Sequence, residues 1–209
     1  MTYRVVCISS KDGAGATEAA SLIAVALGFR LIDEEIVTHA AVEAGVDKEV
    51  VADVERRKSA LVRLLEGLAP AAAAGPIIPP EAVGYGQPAS DDLRGLIRTV
   101  IEDTAGKGDA ILVSHAASLA LSQRDDVLRV LMTASLPTRQ RRVAASLQID
   151  DKEASRLIKR SDAGRADYIK RFYGVGAEQP THYDLVVNTD RIGPEEAARL
   201  VVEAVTASP

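Results

Sequence analysis

The stretch "SSKDGAGATEAA", residues 9–20, sets glycines and a threonine where a chain could wrap an oxyanion. Gly13 and Gly15 allow the backbone to approach a ligand closely. The hydroxyl of Thr17, at the start of a helix, is placed to ligate Mg²⁺ beside phosphate oxygens. Against the phosphate-loop pattern G-x-x-x-x-G-K-[ST], Gly15 and Thr17 fit, whereas Ser10 replaces the first glycine and Ala16 replaces the lysine. The backbone N–H groups of Gly13, Ala14, Gly15, Ala16 and Thr17 and the positive end of the helix dipole survive that loss. What disappears is a fixed cation, a contribution of about 3 kcal/mol in a preorganised site. Lys11, inside the loop, and the arginines of 139–171 are the cations that could replace it.

The elements that must position these groups alternate in kind. "YRVVCIS" (3–9) is short, β-branched and apolar and ends in the glycine-containing loop, as a buried parallel strand feeding a helix does. A helix follows from Thr17, with Ala20, Ile23, Ala24 and Leu27 at helical spacing and Gly28 as its stop. "FRLI" (29–32) predicts a second strand and 33–45 a helix with acids in its first turn. Residues 47–68 carry one apolar stripe, 69–90 are rich in Pro, Gly and Ala and read as a lid loop, and 91–105 resume a helix. "AILVS" (110–114), "VLRVLMTA" (127–134) and "DLVVNT" (184–189) complete the strands. Two helices over 136–148 and 150–174, and a last one opened by Pro194, complete the helices. Five apolar strands interleaved with helices imply an α/β sandwich, a largely parallel sheet covered on both faces, with ligands at the carboxyl ends of the strands.

Composition narrows the function classes. A 209-residue chain with 47% hydrophobic content can bury a large core in one domain. The formal charge of −5, two Phe, five Tyr and no Trp argue against a nucleic-acid footprint. Charge is nevertheless segregated: 33–55 hold eight acids and one lysine, and 139–171 hold ten Lys/Arg and five Asp/Glu, so the second segment suits anions. Cys7, the single cysteine, lies in an apolar run and reads as a small buried hydrophobe. No signal-like or membrane-length apolar stretch occurs, and the expectation is a cytoplasmic protein without a membrane partner. His39, His115, His182 and Cys7 lack metal-ligand spacing, which argues against zinc.

Taken in order, these stretches resemble the P-loop nucleoside-monophosphate kinases and, more closely, their cytidylate-kinase-like branch. "SSKDGAGATEAA" is similar to the branch's S-R-x-x-G-S-G-G-x-E-I-A, which also lacks the lysine. "LGFRLIDEEIV", "DVLRVLMTASLPTRQRR", "ASRLIKRSDAGRADYIKRFYG" and "YDLVVNTDRIG" continue the likeness. The resemblance implies a P-loop kinase-type three-layer sandwich over 1–209, with 46–108 as an acceptor-side helical insertion and 136–173 as a donor-side lid. It implies ATP and Mg²⁺ as reactants, with Gly13 to Thr17 around the donor phosphates and Thr17 on the metal. It puts Arg139 and Arg165 on the transferred phosphoryl group; Lys11 joins them as the cation inside the loop, and Asp162 is spaced i,i+3 to orient Arg165. The resemblance also puts Asp33 at the mouth of the acceptor site, by likeness that of a nucleoside monophosphate such as CMP, and Arg142 and Arg160 among the substrate-binding arginines that close over the transferred group. His115, where the branch has an arginine, reads either as a substrate contact or as packing at the strand end. Arginine suits phosphoryl transfer because its charge is permanent and its fork bonds two oxygens at once.

One stretch departs from the branch. Where the branch has G-R-x-A-D, this chain has Ser114, His115, Ala116, Ala117 and Ser118, without the acceptor-gripping arginine or the aspartate. Two other readings therefore stand beside the nucleotide kinase: a nucleotide-binding regulator of kinase descent, and a kinase for a non-nucleotide metabolite.

Overall fold

A computed structural model of the chain describes residues 3–33, 88–114 and 117–207. Five strands, β1 (Val5–Ser10), β2 (Arg30–Asp33), β3 (Ala110–Val113), β4 (Val127–Thr133) and β5 (Leu185–Asn188), form one sheet in the order β2-β3-β1-β4-β5. Every pairing is parallel. The expected strands are all present, because each is an apolar run bounded by turn residues. The predicted helices at 33–45 and 47–68 lie outside the described residues.

β1 explains the layering. Its side chains alternate between faces, and both sets are buried. Val6 and Ile8 pack with Ala16, Ala19, Ala20 and Ile23 of α1 (Ala16–Leu27) and with Ala197, Ala198, Val201 and Val205 of the last helix (Pro194–Thr206). Val5 and Cys7 face the other way, against Ile101 and Ala105 of α2 (Pro88–Lys107) and against Ala117 of the short α3 (Ala117–Ala120). Cys7 is fully buried, and burial pushes its thiol far above the ordinary range, so it packs as a hydrophobe and is not reactive. Of the segment 46–108 expected to cover the acceptor, residues 46–87 lie outside the described residues, and α2 packs Ile101 and Ala105 on the sheet.

The small residues of α1 let its backbone lie close to the sheet, and Gly28 ends the helix in the left-handed region, its N–H donating to Ala24 O. Beyond β4 come α4 (Leu136–Leu147) and α5 (Asp151–Tyr173); the Asp150 carboxylate caps α5 by accepting from the Glu153 N–H. The closing helix is α6. The chain runs from β1 through β2 and β3 on one side of the sheet and then crosses to β4 and β5 on the other, so strand order reverses at β1. Such a reversal opens a crevice at the carboxyl end of the strand. The glycine-containing loop occupies that position.

Candidate functional site

The loop between β1 and α1 is bent by Gly13 and Gly15, both in the left-handed region at φ 79° and 80°. Within it the Ala14 N–H donates to Lys11 O, closing a tight turn. Three successive carbonyls then point at neighbouring elements. Arg139 Nε of α4 donates to Asp12 O at 2.7 Å, Arg142 Nη1 to Gly13 O at 3.2 Å, and Thr189 Oγ1, just after β5, to Ala14 O at 2.9 Å. The first amides of α1 have no intrahelical acceptor, and its N-cap, Gly15, has no side chain to offer them. The amides of Gly15, Ala16 and Thr17 are therefore the donors an anion at this helix end would meet.

These residues line a cleft of about 930 Å³. Its opposite wall comes from α4 and α5, through Arg142, Ser146, Leu157, Arg160 and Ser161, with Pro194 at the base of α6. Lys11, Thr17 and Arg160 are exposed on this surface. Among the described residues no group of three or more His, Cys, Asp or Glu could hold a metal ion. The donor set fits Mg²⁺ brought in with phosphate: the Thr17 hydroxyl, phosphate oxygens and water, the usual mixed shell for this ion.

The arginines singled out from sequence have definite partners. Arg139 is 3% exposed and, besides holding Asp12 O, donates Nη1 and Nη2 to the two carboxylate oxygens of Asp162 at 2.9 and 2.7 Å. Asp162, expected to orient Arg165, thus pairs with Arg139; Lys11 Nζ lies 4.0 Å from the same carboxylate. Arg165 is 4% exposed and donates Nε and Nη2 to Glu178 at 2.8 and 2.7 Å, and Nη2 to Ser9 Oγ at 2.8 Å. The Tyr183 hydroxyl also donates to Glu178. Burial and that bond push the Tyr183 phenol up to about 12. Arg142 donates Nη1 to Thr189 Oγ1 and Nη2 to Thr189 O, at 2.8 and 2.7 Å. Asp33 is exposed at the carboxyl end of the edge strand β2. His115 lies outside the described residues, while Ser114 before it is buried with its N–H on Ile8 O.

Sequence reasoning passed over Glu178, Tyr183, Ser9 and Thr189. Glu178 carries no local signal. Thr189 and Tyr183 stand inside "YDLVVNTDRIG", whose place after the last strand could have drawn attention to them.

The two carboxylates give the site a pH response. Burial alone would raise Asp162 and Glu178, but hydrogen bonds and charge from Arg139 and Arg165 respectively outweigh it, and Lys11 adds to the field at both. Both carboxyls sit below their ordinary values. Each therefore contributes stability that is complete above the unfolded-state value of about 4 and lost as pH falls through the lower native value. The melting temperature is expected to drop on acidification below about pH 4, and Asp162→Asn should flatten that drop. An equally steep acid transition in the variant would remove Asp162 as its source.

Comparisons with known proteins extend these findings. Residues 5–191 match the family model described as "Cytidylate kinase-like family". A cytidylate kinase of Methanopyrus kandleri is 32% identical over 111 residues, 49% of this chain and 58% of the relative. The chain spans less than two thirds of the curated relatives it matches. In fold it is similar to an uncharacterized protein from Eubacterium ventriosum, with a TM-score of 0.70 at 14% identity over 98% of this chain and 99% of that one. It is also similar to a sugar kinase from Janibacter sp. HTCC2649, with a TM-score of 0.53 at 12% identity over 99% and 96% of the two chains. No described helix is long and apolar enough to cross a membrane.

Proposed function

Because the chain belongs to the cytidylate kinase-like family, we propose that it transfers a phosphoryl group from ATP to a small acceptor, a nucleoside monophosphate of the CMP type. The observation that carries this reading is the loop itself. Its Asp12, Gly13 and Ala14 carbonyls are held from behind by Arg139, Arg142 and Thr189, while the uncapped first turn of α1 borders a cleft of about 930 Å³. Phosphoryl transfer asks a protein for alignment and charge and needs little covalent participation. Backbone amides of Gly13, Gly15, Ala16 and Thr17 would hold the donor phosphates, the expected Ala14 N–H being turned onto Lys11 O, and Lys11 and Arg160 would bring exposed cations over them. Mg²⁺, bound by phosphate oxygens and the Thr17 hydroxyl, would neutralise charge on the donor. Arg139 and Arg165 would join once phosphate oxygens replace Asp162 and Glu178 on their guanidinium edges, and Asp33 and His115 would help to orient the acceptor. Closure of α4 and α5 would exclude water that otherwise hydrolyses the donor.

Incubation with Mg·ATP and a panel of nucleoside monophosphates should yield the diphosphate of at least one pyrimidine nucleotide, detected by phosphorus NMR. A second reading, nucleotide binding without turnover, has its own observation: both arginines that resemblance places on the phosphoryl group are engaged by carboxylates. ATP binding with no transfer to any nucleotide or small-metabolite acceptor would favour it. Absence of ATP binding would overturn both.

A further inference from the structure

The loop lacks its lysine, but one arginine is bonded to the loop and held in place. Arg142 projects from α4 onto the carbonyl side of the loop, with Nη1 3.2 Å from Gly13 O. A Cβ built on Gly15 would lie 3.7 Å from the same nitrogen. Unlike Arg139 and Arg165, Arg142 pairs with no carboxylate among the described residues; its bonds go to Gly13 O, Thr189 Oγ1 and Thr189 O, all uncharged. Asp190 feels its field without bonding to it, being held by the Ser135 N–H and hydroxyl. The guanidinium is half-buried and lines the cleft, where a charge is weakly screened.

From this geometry we propose, building on the kinase reading, that Arg142 replaces the missing lysine electrostatically, from behind the loop, and that Thr189 is its positioning residue. The Ala14 N–H of the peptide group that Arg142 grips is itself turned onto Lys11 O, so the contribution is the long-range attraction of a full positive charge, fixed at Gly13 O beside the loop, to the donor phosphates. Thr189 sets the direction. Its hydroxyl accepts from Arg142 Nη1 and donates to Ala14 O, a relay that fixes the guanidinium and the loop together, and its carbonyl accepts from Nη2. The fork of Arg142 is thus directed to the loop and to Thr189 just after β5, and no carboxylate among the described residues bonds to it.

Calorimetric titration of the full chain with Mg·AMP-PNP tests this apart from catalysis. Arg142→Gln keeps an amide donor but removes the charge; it should weaken binding about tenfold or more and flatten the dependence on salt. Arg142→Lys keeps the charge without the fork and should lose only about threefold. Thr189→Val should weaken binding and Thr189→Ser restore it, while Arg156→Gln, which removes an exposed charge of the same basic segment, should leave it unchanged. Equal losses in Arg142→Gln and Arg142→Lys, with matching falls in melting temperature, would reduce Arg142 to a scaffold and overturn the proposal. So would binding by Arg142→Gln within twofold of the parent, or an equal loss in Arg156→Gln. Failure of the unaltered chain to bind AMP-PNP would overturn the kinase reading itself, an outcome distinct from these.

Discussion

Replacing Gly13 with alanine is expected to lower stability by about 2–5 kcal/mol and to remove binding of ATP analogues. Two independent costs combine. Gly13 has φ 79°, where an L-residue with a Cβ is strained. A Cβ there would also lie 2.6 Å from Arg139 O and 2.9 Å from Arg139 Cα, so the obstacle is helix backbone that no side-chain rotation can clear. Either the loop or α4 must move, and movement of either breaks the bond from Arg139 Nε to Asp12 O. Gly15 is a useful contrast. It is equally left-handed, yet its Cβ would meet the Pro194 side chain at 3.1 Å, a contact that can relax by small shifts of the ring. Gly15→Ala should cost less stability than Gly13→Ala, and thermal melts of the two variants check the order. Equal melting temperatures for the parent and Gly13→Ala would mean that α4 does not press on the loop as described.

Arg165→Met is expected to destabilise the fold by about 3–5 kcal/mol. Arg165 lies under the end of β1, bonded to Ser9 and to both oxygens of Glu178, whose side chain is only 14% exposed. Removing the guanidinium leaves a buried carboxylate with the Tyr183 hydroxyl as its remaining named donor. Pairing the change with Glu178→Leu removes the stranded charge as well, and the double variant should regain most of the loss, since a buried ion pair often matches an apolar pair of similar volume. Denaturant titration of parent, single and double variants gives the coupling directly. An additive double variant would show that Arg165 and Glu178 act separately. The same pair bears on catalysis: a double variant that is stable but transfers no phosphate would separate the structural task of Arg165 from its proposed contact with the phosphoryl group.

Much of the fold was legible in the sequence because its signals are local. The apolar runs at 3–9, 110–114, 127–134 and 184–189 became β1, β3, β4 and β5 within a residue or two. Gly28 stopped α1 and Pro194 opened α6 where their backbone preferences put them. The bend of the loop before α1 was also readable, since Gly13 and Gly15 act on the residues beside them. The short α3 and the 3₁₀ turn Pro180–His182 were not read, being too brief to show a period.

What the sequence determined by itself, then, is the sheet, the described helices that flank it and a tight glycine-containing turn at the carboxyl end of its central strand, all set by backbone preference and by hydrophobic periods a few residues long. Only the tertiary structure decided which charge faces which partner. Arg139 reaches Asp12 across 127 residues, Arg165 reaches Ser9 across 156, and Thr189 reaches Ala14 across 175. A guanidinium looks alike in a sequence whether a carboxylate or a ligand will meet it. Its assignment waits on folding, because electrostatic and hydrogen-bond energies depend on distances of a few ångströms that exist only once the sheet has brought β1, α4, α5 and β5 together.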